Sequence, residues 1–184
     1  MTLSSVEREQ LQGYLLEQRV PATVLRARHS KLSPELLRLI QRGAREHPDA
    51  RVRRECLGVL DHHANDESEE VFRAALFDPV PRVRVFALHG LACERCRVGD
   101  LCVSDVVTDL THVLDGDPNA KVRHGAVLVI AGLATRDARV VDVLAQVARE
   151  DVDPLVRRVA LAVVEGRGRD VRSRKALRRR EATC

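Results

Sequence analysis

Aromatic side chains are nearly missing from this chain. They make up 2% of it, with no Trp, one Tyr (Tyr14) and three Phe (Phe72, Phe77, Phe86). Proteins that read single-stranded bases rely on aromatic platforms for stacking, so that mode is not expected, and the core has to be built from Leu, Val and Ala. No apolar run approaches the roughly 18–20 residues that span a bilayer. The opening MTLSSVEREQLQ lacks the basic-then-apolar order of a signal peptide. A cytoplasmic location without a membrane partner is therefore expected. A Gly-rich phosphate loop and a nucleophile–base constellation are also missing. No catalytic residue is assigned, and the chain is not expected to be an enzyme.

What is present suits a folded, well-solvated domain: 45% hydrophobic and 32% charged residues in 184, enough chain to bury a continuous core. The sequence repeats itself. His47-Pro-Asp-Ala-Arg-Val-Arg53, Asp78-Pro-Val-Pro-Arg-Val-Arg84, Asp117-Pro-Asn-Ala-Lys-Val-Arg123 and Asp151-Val-Asp-Pro-Leu-Val-Arg157 align, with Val52, Val83, Val122 and Val156 separated by 31, 39 and 34 residues. Behind each Val-Arg, one column holds Cys56, Ala87, Ala126 and Ala160. A second holds Leu57, Leu88, Val127 and Leu161, and a third Leu60, Leu91, Ile130 and Val164. Apolar positions at i, i+4, i+5 and i+8 describe one buried helical face. Asp at the opening is read as the helix cap, and Pro sits where no backbone donor is needed. The preceding stretches, about 34–46, 67–77, 104–115 and 138–150, read as the first helix of each pair. Ser33, and Asp66 with Glu69, supply start signals. Ser4 to Arg19 reads as a further helix capping the N-terminal end.

These residues carry a resemblance. Over about 33–166 the chain resembles HEAT-repeat proteins of the PBS-lyase HEAT-like type, through its Asp-Pro-x-x-x-Val-Arg pattern; the first unit departs from it, with His47 in place of Asp. The resemblance implies an all-α, right-handed α-solenoid of about four HEAT-like helix pairs. It also implies a ladder between successive turns, with Asp78, Asp117 and Asp151 set against Arg84, Arg123 and Arg157, whose work is structural rather than catalytic. HEAT-like folds include DNA glycosylases, phycobilin lyases and an iron-dependent hydroxylase. The first lacks its aromatic pocket here, and the last lacks its paired His-Glu steps.

The second interval between repeats is the long one, and its extra length falls on Cys93-Glu-Arg-Cys96-Arg-Val-Gly-Asp-Leu-Cys102. His89 stands one helical turn before Cys93, on the same face. His89, Cys93, Cys96 and Cys102 form His-x3-Cys-x2-Cys-x5-Cys, the ligand types and number of a closed tetrahedral zinc site. A structural zinc is the expected cofactor. His112, His62, His63 or Cys184 are alternative fourth ligands to His89. An iron–sulfur cluster lacks a nearby fourth thiolate, and a redox switch favoured by Arg95 and Arg97 is the other alternative. Some HEAT-like bacterial proteins carry a similar His-x3-Cys-x2-Cys insertion. Asp61-His62-His63 is similar to a phosphoesterase motif but reads as a surface helix end, and Cys56 reads as packing.

From Arg167 to Glu181 eight basic residues face only Asp170 and Glu181, a net +6, and this segment reads as a basic C-terminal helix or tail that caps the last repeat, with a peripheral electrostatic role in partner binding. The organisation read from the sequence is thus 1–32 as capping helix and connection, 33–166 as repeats with the Cys-rich insertion at 93–102, and 167–184 as basic tail. The function expected is a scaffold or adaptor for another protein, held on the curved repeat surface. The alternatives are a nucleic-acid-associated module that binds phosphates through Arg167–Arg180, and an accessory subunit of an enzyme.

Overall fold

A computed structural model describes residues 32–63, 66–92 and 103–167. Among these residues there are eight α-helices and no strand: α1 (Pro34–Glu46), α2 (Ala50–Leu60), α3 (Asp66–Ala75), α4 (Pro81–Ala92), α5 (Val103–Gly116), α6 (Ala120–Ile130), α7 (Arg139–Glu150) and α8 (Pro154–Val164). A short 3-10 turn, Ala131–Leu133, follows α6. The chain divides into two compact units, Met1–Leu101 and Cys102–Cys184. The first helix of every pair falls within two residues of the position read from the sequence. The proposed N-terminal helix, the Cys93–Cys102 insertion and nearly all of the basic tail lie outside the described residues.

Each unit contains two helix pairs arranged in two layers. In the first, α1 packs on α2 and α3 on α4, while α1 also touches α3 and α2 touches α4. In the second, α5 and α7 form one layer and α6 and α8 the other, with the same pattern of neighbours. This is the helix-pair stacking of an α-solenoid.

The repeat columns explain why the pairs stack. Val52, Val83, Val122 and Val156 are buried, as are the small residues Cys56, Ala87, Ala126 and Ala160. Small side chains in that column let neighbouring helices approach closely. Leu57, Leu60, Leu88, Leu91, Val127 and Ile130 are at most 1% exposed. Each such side chain contributes about 1.5–3 kcal/mol over its exposed state. The last pair breaks the pattern: Leu161 and Val164, expected on a core face, are 43% and 39% exposed. The columns specify what an interior repeat buries, and α8 has no described neighbour on that side.

One contact in the first unit needs glycine. A β-carbon on Gly90 would lie 2.1 Å from the Phe72 ring, far inside van der Waals contact. Phe72, on α3, is the largest fully buried side chain, and it seats against bare α4 backbone. At the far end of the second unit, Gly166 has φ 74. It terminates α8 in the left-handed conformation that glycine adopts without strain.

Candidate interaction surface and metal-ligating residues

The four turns that open α2, α4, α6 and α8 carry the charged side chains that the repeats bury. Each turn is made by a side chain at its first position that bridges to the backbone two residues on. Asp78 Oδ1 accepts from the Val80 amide at 2.8 Å, Asp117 Oδ1 from Asn119 at 2.8 Å and Asp151 Oδ1 from Asp153 at 2.7 Å. His47 does the same with Nδ1, accepting from Asp49 at 3.0 Å. This is Asx-turn chemistry, so the expectation that these aspartates cap the helices is corrected. Where a cap is resolved it lies two residues later: Asp49 accepts from Arg51, Asn119 from Lys121, and Asp153 from Leu155 and Val156. The opening Asp lies two residues too early, and its carboxylate is used on the amide of the cap position itself.

The arginine of each Val-Arg ties the turn to its helix. Nη1 of Arg53, Arg84, Arg123 and Arg157 donates to the carbonyl six residues back, on His47, Asp78, Asp117 and Asp151, at 2.7, 2.7, 2.8 and 2.6 Å. The remaining edge of the guanidinium is a fork suited to a carboxylate. Arg53 places it on Asp78 of the next turn, Nε to Oδ2 at 2.6 Å and Nη2 to Oδ1 at 2.9 Å. Arg123 holds Asp151 at 2.8 Å through both atoms. In these two rungs a carboxylate is held by the arginine of the preceding turn. Arg53 belongs to the ladder although the set expected from the resemblance leaves it out. Its turn opens with His47, which hid the unit's full membership.

All four side chains of these two rungs are under 10% exposed. Hydrogen bonds from Arg123 hold the Asp151 carboxyl below the usual carboxylate range against the opposing effect of burial. The Asp153 amide and the Arg157 charge add to that lowering. The same pairing raises Arg123. His47 differs from the aspartates in its second heteroatom: Nε2 is buried without a hydrogen-bond partner among the described residues. It lines a cavity of about 330 Å³ shared with Arg53, Phe77 and Asp78.

Of the four expected zinc ligands, His89 alone is among the described residues. It sits in the last turn of α4, with its side chain about half exposed, and Nε2 lies 3.3 Å from Asp61 Oδ2. The Phe86 ring stands edge-on to it at 6.1 Å. Cys93, Cys96 and Cys102 lie outside the described residues, as does Cys184. His62 is exposed and His63 half-buried just after α2, and His112 is exposed on α5. Among the described residues no group of three or more metal-ligating side chains comes together.

Asp61 is the residue that sequence reading placed wrongly. It is 6% exposed, so the Asp61-His62-His63 stretch is not wholly at the surface. Asp61 caps α2 with backbone contacts and faces His89 on α4 of the next pair, which accounts for a polar residue in a column otherwise holding Gly58, Leu128 and Ala162. The column itself carried that signal. Cys56 is buried on α2, and burial, with Glu55 nearby, pushes its thiol up to about 12.

Residues 36–131 match the family model for HEAT repeats, just over half of the chain. The chain belongs to the HEAT-repeat family. The matched residues take in the helices from α1 to α6, and part of the pattern recurs past them: the turn before α8 repeats the Asx bridge and the arginine–carbonyl bond, and Val156 and Ala160 are buried. No curated protein and no solved structure matches the chain. No helix among the described residues is long and apolar enough to cross a membrane.

Proposed function

We propose that this HEAT-repeat chain is a non-catalytic, cytoplasmic scaffold that holds another protein on its helix pairs, and that His89, Cys93, Cys96 and Cys102 hold a structural zinc. The observation that carries the scaffold reading is the use made of the buried charges. Arg53, Asp78, Arg123 and Asp151 are committed to rungs that set the spacing of successive pairs, which is what a stacked binding surface requires. HEAT repeats commonly mediate protein–protein interaction, and the repeats are the part of the chain that the family match describes.

The zinc reading is supported by the setting of His89. With Nε2 turned to the buried Asp61 carboxylate, Nδ1 is the ring nitrogen left for a metal. A carboxylate behind a ligating imidazole is the usual way its tautomer and orientation are fixed. Zinc, when bound, contributes folding free energy by joining ligands that the unfolded chain leaves apart.

Capture from host lysate tests the scaffold, comparing the full chain with a version ending at Gly166 at low and moderate salt. A discrete protein retained by both versions at either salt supports the reading. Nucleic acid retained only by the full chain, and only at low salt, would move the function to the basic tail. For the metal, purified protein is expected to hold one zinc per chain, lost together with thermal stability in Cys93→Ser. A metal-free protein whose melting temperature ignores chelators would refute the zinc.

A further inference from the structure

The two layers of each unit differ in charge. In the first unit α2 and α4 carry five Lys or Arg and one acid, Glu55, whereas α1 and α3 carry four basic and six acidic residues. In the second, α6 and α8 carry four Lys or Arg and no acid, against two basic and five acidic residues on α5 and α7. The turns account for part of this. Arg53, Arg84, Arg123 and Arg157 each bind a carbonyl of their own turn, and Arg54 pairs with Glu55. Arg51, Arg82, Lys121 and Arg158 remain. All four are exposed, and none is held by an acid among the described residues.

Helix stability does not call for these cations. No acid stands in the first turn of α2, α4, α6 or α8, and a cation there opposes the helix dipole. Arg51 and Arg82 occupy such first turns at one register, 31 residues apart, on helices that pack together. Their helix axes are therefore about 8–10 Å apart. Val85 and Phe86 follow Arg82 at i+3 and i+4, on its stripe of α4. Val85 is 40% exposed and Phe86 half-buried. The face thus joins two unpaired cations to apolar surface.

Charge decides among its occupants. The chain's own remaining segments are not acidic: residues 1–31 hold five basic and three acidic residues, 93–102 two of each, and 167–181 sum to +6. A second copy would offer its acid-rich α3 or α5, yet neither carries an exposed large apolar side chain to cover Val85. In α3, moreover, Glu69 and Glu70 are already paired with Arg73 and Arg45. A duplex, with one negative charge per about 1.7 Å, is far denser in charge than two arginines beside apolar surface.

We propose that the outer face of α2 and α4 docks an acidic segment of another protein, whose carboxylates meet Arg51 and Arg82 and whose apolar side chains cover Val85 and Phe86. The proposal rests on the scaffold reading and gives that reading's partner a chemistry and a place.

The test is a selection from a random 16-residue peptide display library on the immobilised full chain, in about 0.15 M salt. Binders are expected to combine Asp or Glu with Leu, Val or Phe. Arg51→Ala and Arg82→Ala should each weaken them about threefold. Reversing both charges, Arg51→Glu with Arg82→Glu, should cost at least about a hundredfold, and Val85→Asp about tenfold. Arg38→Glu with Arg42→Glu makes the same change of net charge on exposed positions of α1 and should alter affinity less than about twofold. Melting temperatures near the native value would show that the variants are folded. Binders indifferent to Arg51 and Arg82, or as sensitive to the α1 reversal, would overturn the proposal while leaving a scaffold that binds elsewhere. A selection that yields nothing would overturn it too, and the lysate capture decides the scaffold reading separately. Duplex DNA that displaces the peptides through the same two arginines would assign the face to phosphates instead. Self-association lost in the double reversal would assign it to a second copy. Tighter peptide binding after Glu7, Glu9 and Glu17 are changed to Gln, or after Glu94→Gln with Asp100→Asn, would assign it to the chain itself.

Discussion

Every aromatic side chain of the protein lies in its first unit, while the second unit has none. In the first, the Phe72 ring fills the space between α3 and α4 and presses on the bare backbone of Gly90. In the second, the core is Val, Leu, Ile and Ala alone, among them Val113, Leu114, Val127, Ile130 and Leu144. Yet the two units hold their turns with the same device, a buried arginine that binds a carbonyl of its own turn and both oxygens of the next aspartate. Arg53 does so at 2.6 and 2.9 Å and Arg123 at 2.8 Å twice. Core composition is therefore free to vary between repeats while the polar rung is not. Packing of aliphatics is forgiving of shape, whereas a bidentate pair fixes both distance and angle.

The largest expected effect comes from breaking that common feature. Arg53→Ala and Arg123→Ala each leave a buried carboxylate without its partner and should destabilise by about 3–5 kcal/mol. Arg157→Ala loses only the bond to the Asp151 carbonyl and should cost about 1 kcal/mol. Urea unfolding of the three variants measures this. Equal losses at all three positions would mean that the helix-to-turn bond, and not the rung, holds the pairs together.

The next effect separates the units. Gly90→Ala should destabilise the first unit by about 1–3 kcal/mol, because Phe72 has no room to retreat. Helix propensity alone would favour the change by about 1 kcal/mol. Phe72→Leu should restore much of the loss in the double variant. Hydrogen exchange should show the opening confined to α3 and α4, with α7 and α8 unaffected.

Most of the fold was legible because it is periodic. Val52, Val83, Val122 and Val156 mark four equivalent helices, and α1, α3, α5 and α7 occur where the apolar stretches placed them. What failed was local or terminal. The aspartates of the turns were read as helix caps because Asp before Pro is a cap signal, but the distance to the helix amides is settled only by the turn's backbone. Leu161 and Val164 were read as core because a column tells what a repeat buries inside a stack and nothing about where the stack ends. Of the candidate site, His89 was legible from its odd place in an apolar column. Its partner Asp61 was not, because a helix end seen in sequence looks exposed even when a neighbouring helix covers it.

A smaller effect appears in acid. The Asp151 carboxyl is held below its unfolded value chiefly by the hydrogen bonds from Arg123. A group whose folded pKa is depressed contributes its full stability above the unfolded value, about 3.9 for Asp, and loses it as pH falls through the folded value. Between pH 5 and pH 2 the native chain should lose stability more steeply than Asp151→Asn, which has no carboxyl to protonate there. Parallel pH dependences, followed by thermal melting, would show that the rung does not contribute through its charge.

The smallest effect compares the caps, one in each unit. Asp153 accepts from two amides, Leu155 at 2.8 Å and Val156 at 3.2 Å, whereas Asp49 accepts from Arg51 alone at 2.7 Å. Behind each cap an arginine binds the carbonyl of its own turn, and only Arg53 also holds a carboxylate, so the second amide bond of Asp153 stands where the rung is missing. Asp153→Ala should cost about 1–2 kcal/mol and Asp49→Ala about 0.5–1 kcal/mol. The order matters more than the values. Asp49 is backed by the His47 turn and by Arg53 bound to Asp78, so α2 stays nucleated when its cap is lost. α8 is the last described helix and has packing neighbours on one side only, so its cap should carry a larger share of its stability. If Asp49→Ala proved the more costly, the His47 turn would be the weak point of the stack rather than a sufficient substitute for aspartate.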